Sequence, residues 1–245
     1  MTKQSGLGMR GFVGGYDLSG DITALGTIRG GHAVIDVTGI DKSAYERIGG
    51  LRDGEISFTS AFNTAANQEH PALSPLPTTD VHVMVATGAA IGTETACCVA
   101  KQVNYDPTRG QDGQFAFAVQ ALPNAYGVEW GNLLTAGVRT DTTATNGTGY
   151  DGTASTSFGW QAYLQVFSFT GTSCTVTLQD SADNASFAGF TGSAFTAATG
   201  RTTERLQSSS GTATVRRYVR AVTTGTFSSC AFAVTFVRNQ TLVAF

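Results

Sequence analysis

Charge is what this sequence has least of. Charged residues make up 13% of its 245 positions, about half the share of an ordinary soluble domain. Lys3, Lys42 and Lys101 are its only lysines, and the net charge is -3 with a pI near 5.5. Such a chain lacks the basic footprint that grips nucleic acid. No apolar run approaches the ~20 residues of a membrane span, so no membrane insertion is expected. No apolar stretch of the secretory type follows Met1-Thr-Lys-Gln-Ser-Gly6, so the expected site of synthesis and folding is the cytoplasm, without a signal peptide. The four cysteines have no metal-ligand spacing. Cys97 and Cys98 are adjacent, and neighbouring strand residues point to opposite faces.

Catalytic signatures are missing too. There is no Gly-x-Ser-x-Gly elbow, no P-loop and no His-Glu-x-x-His. His32, His70 and His82 stand in no catalytic or metal motif; His82 lies mid-strand on the polar side of its alternation. Gly6-Leu-Gly-Met-Arg-Gly11 spells the dinucleotide fingerprint, but without the strand that must precede it. Asp180-Ser-Ala-Asp183-Asn184 offers oxygens without the bidentate glutamate of a calcium loop, and an Asx turn is the simpler reading. No catalytic, cofactor-binding or metal-binding residue is assigned, and the chain is not expected to be an enzyme.

What is abundant is threonine, at 36 residues, and glycine, at 30, beside 41% apolar residues. Threonine favours strands, and glycine marks turns. The length suits one large or two ordinary domains, and a surface so poor in charge fits burial against copies of itself. Charge is divided unevenly. Residues 1–145 hold nine Lys/Arg and fourteen Asp/Glu, and residues 146–245 hold six Arg and four acids.

Along the chain, Gly6–Gly15 reads as an extended glycine-rich arm. Asp17–Thr38 reads as two strands joined near Gly30-Gly31. Ser43-Ala-Tyr-Glu-Arg-Ile48, capped by Asp41 and ended by Gly49-Gly50, reads as a short helix. Glu55–Asn63 alternates, with Ile56, Phe58, Ser60 and Phe62 on one side. Gln68–Asp80, holding three of the five prolines, reads as a loop with room for one helical turn. Val81, Val83 and Val85 mark a half-buried strand. Thr95–Tyr105 and Gln114–Leu122 are further strands, with Asp106-Pro-Thr-Arg-Gly110 as the turn between them.

Residues 138–157 carry almost no large apolar side chain and coincide with the charge shift, which marks them as a linker. Beyond it lies a weak repeat. Tyr163–Leu178 and Tyr218–Phe236 each read as strand, Thr-Gly-Thr turn, strand, with Cys174 or Cys230 opening the second strand. Both cysteines fall in register with apolar residues, which directs them into a core. Free buried thiols are expected, and a disulfide formed after release from a cell is the other reading. Trp130 and Trp160 flank the linker; buried they are core, exposed they could stack on a sugar, and burial is preferred.

Residues 10–137 carry a family resemblance. Asp17-Leu-Ser-Gly-Asp21, then Ile35-Asp-Val-Thr38, the Ser43–Ile48 segment and Gly50-Leu-Arg-Asp-Gly-Glu-Ile-Ser-Phe58 follow an order that resembles the major tail (tail tube) proteins of long-tailed bacteriophages. Thr177–Phe187 resembles the β-sandwich modules that phages append to tail and capsid proteins. The resemblance implies a mainly β chain: a tail-tube-like sandwich or barrel with one short helix over residues 1–137, the linker 138–157, and an Ig-like or jelly-roll-like sandwich over residues 158–245. It implies hexameric rings stacked into a virion tube through which DNA passes without specific binding. The implied partners are copies of itself, the tape measure, the tail terminator and the baseplate or distal tail protein. The competing reading is a virion adhesion or glycan-binding module using Trp160, Tyr163 and Tyr218.

Overall fold

The computed structural model describes residues 5–243; the first four positions of the expected first domain, and the last two of the second sandwich, lie outside the described residues. Strand accounts for 56% and helix for 2%, so the mainly β expectation holds. In the first half the strands are β1 (Arg10–Val13), β2 (Tyr16–Asp17), β3 (Ile22–Asp36), β4 (Arg47–Ala61), β5 (Val81–Ala86), β6 (Glu94–Gln102), β7 (Asp106–Arg109), β8 (Phe115–Pro123) and β9 (Glu129–Leu133), with helix α1 (Glu69–Leu73) after β4. The second half has β10 (Arg139–Asp141), β11 (Tyr150–Asp151), β12 (Trp160–Ser181), β13 (Ala188–Ala194), β14 (Thr202–Gln207) and β15 (Tyr218–Arg238). One antiparallel ladder runs β13-β12-β15-β9-β6-β5-β1-β2, and the β3–β4 hairpin joins it through β8.

Three cores lie against this sheet. Ile56, Phe58, Val83, Val85, Cys98 and Val119 help fill the first-half core. Leu164, Val176, Leu178, Phe232 and Phe236 help fill the second-half core. A third core draws on both halves: Phe12, Met84, Cys97 and Val99 meet Tyr163, Phe167 and Val237. This layer explains two departures from expectation. Glycine-rich residues 6–15 are more than a lead-in, because Phe12 and Val13 are buried in β1. Strand β5 is buried on both faces, because the second half covers the side that bears Met84 and Ala86.

The repeat in the second half does not form two hairpins. Each copy is a single long strand, of 22 residues in β12 and 21 in β15, and the copies pair with each other from Trp160↔Arg238 to Ser181↔Tyr218. At ~3.3 Å per residue a straight strand of that length would span ~70 Å, longer than a small domain is wide. The ribbon therefore bends. Register shifts gather between Val166 and Ser173, around Gly171, and Gly171 and the nearby Gly225 have φ angles of 150° and 121°. Thr170-Gly171-Thr172 is thus a bulge, whereas Thr224-Gly225-Thr226 stays in regular register with Ser173–Thr175, and the ribbon folds over one core that receives side chains from both ends of each strand. Folding brings Cys174 and Cys230 within hydrogen-bonding reach as free thiols. Burial pushes Cys230 up to about 12.

Local expectations fail elsewhere for tertiary reasons. Asp106-Pro-Thr-Arg109 pairs with β8 as an edge strand instead of turning, and the turn falls at residues 110–114. Pro107 is tolerated there because an edge strand leaves one row of donors unpaired. The 138–157 stretch, expected as a linker, is held along β15 through β10, β11, Asn146↔Val222 and Thr156↔Val215. Backbone hydrogen bonds fix it in place, helped by the packing of Val138 and Tyr150 on the cores and by the buried Asp141, which accepts from Thr223 Oγ1 at 2.7 Å. The prolyl turn of Gln68–Asp80 does contain helix α1.

Polar groups tie the halves across the third core. The Glu129 carboxylate accepts from Arg205 Nε at 2.9 Å, from Arg205 Nη2 at 2.8 Å and from the Tyr163 hydroxyl. The Arg205 and Glu129 side chains are 4% and 3% exposed. The buried Gln165 amide is fully used: its oxygen accepts from Gly15 N at 2.8 Å, and its nitrogen donates to the carbonyls of Phe12 and His82 at 3.0 and 3.1 Å. His82 packs edge-on against Tyr163, and its Nδ1 is buried without a partner among the described residues.

Gly225→Val is expected to destabilise the chain by roughly 1–3 kcal/mol, because an added Cβ lies 2.3 Å from Ser173 O at a φ that side chains avoid. Gly20→Ala, in open space, is the control, and urea denaturation reads both. Glu129→Ala leaves the Arg205 guanidinium buried beside an empty site and is expected to cost about 3–5 kcal/mol in the same assay. Burial lowers His82 to about 4, against the opposing pull of Asp80. The unfolded chain therefore binds the extra proton first, and stability falls as pH drops from about 6.5 to about 4. Melting curves across that window should flatten in His82→Phe relative to the parent.

Candidate assembly interface

The β3–β4 hairpin is the feature of the molecule that its own core does not explain. Its base is anchored. Ile22, Leu25 and Ile28 of β3 pack on the first-half core. The buried Asp21 closes the open end of the hairpin: its carbonyl accepts from Ala61 N at 2.9 Å, and its carboxylate accepts from Asn63 Nδ2 at 2.8 Å and Glu69 N at 2.9 Å. Ser60 Oγ donates to Glu69 Oε1 at 2.8 Å, which fixes helix α1 under the same base. Phe62, Phe115, Phe117, His70 and Tyr105 stack beside it, with Phe117 and Tyr105 centred 4.2 Å apart.

The hairpin leaves the body at Gly30↔Gly54. A Cβ on Gly30 would stand 3.0 Å from Val128 Cβ, and one on Gly54 would stand 2.7 Å from Arg29 O. Gly30-Gly31, expected as a turn between two strands, is instead where one continuous strand crosses the body without a side chain. Pairing continues to Asp36↔Arg47. The turn is organised by Thr38: its Oγ1 donates to Asp36 Oδ1 at 2.6 Å and accepts from Glu46 N at 2.9 Å. The Thr38 hydroxyl and the Thr38 backbone N–H, which donates to Asp36 Oδ1 at 3.0 Å, hold the Asp36 carboxyl below the usual range. The short helix expected over Ser43–Ile48 is absent, because Glu46 is drawn into the ladder and residues 47 and 48 already belong to β4. A segment of that length without a surface to pack on does not sustain a helix.

Beyond Gly31 the hairpin projects with apolar side chains on view. Val34, Ile35, Val37, Ile40, Tyr45, Ile48 and Leu51 are seven of the fifteen exposed large apolar residues among those described, and Ile40 and Leu51 are 109% and 87% exposed. Both strands of this part also keep one open edge, since β3 pairs only with β4 and β4 reaches β8 only from Ile56 onward. An exposed, long, apolar edge is a template for another chain, and such a patch marks an interaction surface.

The residues singled out from the sequence are dispersed. Trp160 and Tyr163 are buried, and Tyr218 is partly covered, with the Arg217 guanidinium 5.0 Å from its ring centre. They do not form one exposed aromatic face. Trp130, expected in the core, is 54% exposed. His70 donates to or accepts from Tyr105 Oη at 2.9 Å, and His32 meets Gly50 O at 3.0 Å on the arm. Asp180 is taken by Arg216, and Asp183 accepts the amides of Ala185 and Ser186 in an Asx turn. No group of three or more His, Cys, Asp or Glu among the described residues is arranged to hold a metal ion. No helix among them is long and apolar enough to cross a membrane. The arm itself was missed, because a run of Gly and β-branched residues reads alike whether it folds back or projects.

No family model and no curated protein matches this chain. Among solved structures, it is similar to a chain from the tail of an empty GTA particle refined with C6 symmetry, at 16% identity and a TM-score of 0.36, over 52% of this chain and 97% of that one. It is also similar to the SPP1 Dit (gp 19.1) protein, described as a hub of the adsorption apparatus in phages infecting Gram-positive hosts, at 11% identity and a TM-score of 0.32, over 94% of this chain and 99% of that one.

Proposed function

We propose that this chain is a structural, non-enzymatic subunit of a bacteriophage tail, and specifically a tail tube protein that assembles into stacked hexameric rings. The single observation that carries the reading is the projecting β3–β4 hairpin, which offers open strand edges and apolar side chains that only another chain can cover. A sheet continued from copy to copy around a closed ring removes those edges. The sequence resemblance over residues 10–137 points the same way, and the shortage of charge suits a surface mostly buried in an assembly. In this reading residues 1–137 build the tube and residues 158–245 form an added module. Fourteen acids against nine bases in residues 1–145 make the first half a poor binder of phosphate, so DNA slides through. The partners are the tape measure, terminator and distal tail proteins of the same virion.

The adhesin reading is weaker, since Trp160 and Tyr163 serve the core.

Negative-stain electron microscopy over a concentration series tests the proposal. The parent chain should form rings or hollow tubes of uniform width. Ile40→Asp combined with Leu51→Asp should stay monomeric with an unchanged melting temperature. Loss of the two buried side chains removes about 3 kcal/mol or more per interface, about a hundredfold in association. Tubes formed equally well by the double variant would dismiss the arm as the interface. A parent chain that stays monomeric at every concentration would count against the tube.

A further inference from the structure

A second surface feature lies away from the arm tip. A cleft of about 200 Å³ opens where the start of β9, the start of β12 and the end of β15 meet the root of the hairpin. Arg52, Trp130, Gln161 and Asn239 are among its lining residues. The cleft is smaller than the roughly 300–1,000 Å³ of sites for drug-sized ligands, so it is sized for a single ring.

Its polar groups are donors in excess. Gln161 is 1% exposed, yet its Nε2 has no hydrogen-bond partner among the described residues. A buried amide left unpaired costs about 1–3 kcal/mol, so a native cleft that holds one is built to be filled. Arg52 Nη1 is likewise buried without a hydrogen-bond partner, and no salt bridge to Arg52 occurs among the described residues. The one carboxylate in the lining, Glu129, is already neutralised by Arg205. Arg238, also in the lining, donates to the carbonyls of Val215, Arg216 and Arg217 and keeps its Nε without a partner among the described residues. The cleft therefore has two guanidinium charges without a carboxylate partner and no free negative one. Trp130 adds a half-exposed indole at its margin.

We infer that this cleft binds an acidic monosaccharide unit, a pyranose ring that carries a carboxylate. The guanidinium of Arg52 takes the carboxylate, the Gln161 amide takes a ring hydroxyl, and the indole of Trp130 supplies an apolar platform for the C–H face of the ring. A neutral sugar satisfies the amide but leaves the guanidinium unpaired. A mononucleotide carries charge of the same sign, and the titration below separates it from the sugar acid. The site adjoins the proposed interface, since Arg52 follows Leu51 and pairs with His32, but neither Ile40 nor Leu51 is in its lining, so the Ile40→Asp, Leu51→Asp variant separates failure of the one from failure of the other.

The test is a titration of the full chain with glucuronic acid, glucose and a mononucleotide, read by tryptophan fluorescence and calorimetry. Trp160 is buried, so the fluorescence change reports on Trp130. Glucuronic acid should saturate and bind about tenfold more tightly than glucose. Arg52→Gln should remove that preference. Trp130→Ala, at an exposed position, should weaken both sugars without lowering the melting temperature. The inference is overturned by absence of saturable glucuronic acid binding, by binding that both variants leave unchanged, or by a mononucleotide that binds more tightly than glucuronic acid.

Discussion

The shape of this molecule depends on one buried ion pair. Glu129 stands on β9 and Arg205 on β14, 76 positions apart, and Tyr163 completes the carboxylate's shell from β12. Such a pair adds little net stability over well-packed apolar side chains, because both ions must leave water first. What it adds is selectivity. Any arrangement that parts the halves leaves a charge buried alone or returns both charges to solvent while exposing Phe12, Phe167 and Val237. The Gln165 amide repeats the device in neutral form, serving three backbone groups around β1 and β5. Together they fix how the second half sits on the first.

From that constraint follows a division between a closed body and an open arm. The body follows ordinary rules: alternating strands and apolar cores on both sides of the sheet, with His82 and Gln161 among the few buried polar groups left without a partner among the described residues. The arm departs from them. An edge strand is usually protected by lysine, proline or a short length, whereas β3 has fifteen residues and contains neither lysine nor proline. Gly30 and Gly54 let the ribbon cross Val128 at a distance that a side chain would forbid. An unprotected edge beside exposed Ile40 and Leu51 is an aggregation hazard in a monomer and an asset in an assembly.

The cleft beside Arg52 belongs to the same geometry. It exists because the hairpin root, β9 and the end of β15 converge without filling the space between them. Gln161 Nε2 and Arg52 Nη1 lack acceptors there, because Arg205 and Tyr163 already take the one carboxylate of the lining, Glu129.

Much of this was legible in the residues. Threonine and glycine abundance set the mainly β class, and alternation located β4, β5, β6 and β8 and turned Ile56, Phe58, Cys174 and Cys230 inward. Those signals are local, since the period of a strand is written in neighbouring side chains. Other features depended on partners distant in the chain. Thr-Gly-Thr reads as a turn until a partner strand lies along it, which makes the first copy a bulge and the second a regular part of β15. Residues 138–157 read as a linker until β15 supplies their hydrogen bonds. Ser43–Ile48 reads as a helix until Thr38 captures Glu46. The pairing of Glu129 with Arg205 and the emptiness around Gln161 have no sequence signal at all. Local patterns determined which segments are strands and which way their side chains face. Only the tertiary structure decided which strands pair, because pairing depends on desolvation and hydrogen bonding between residues that the chain itself keeps far apart.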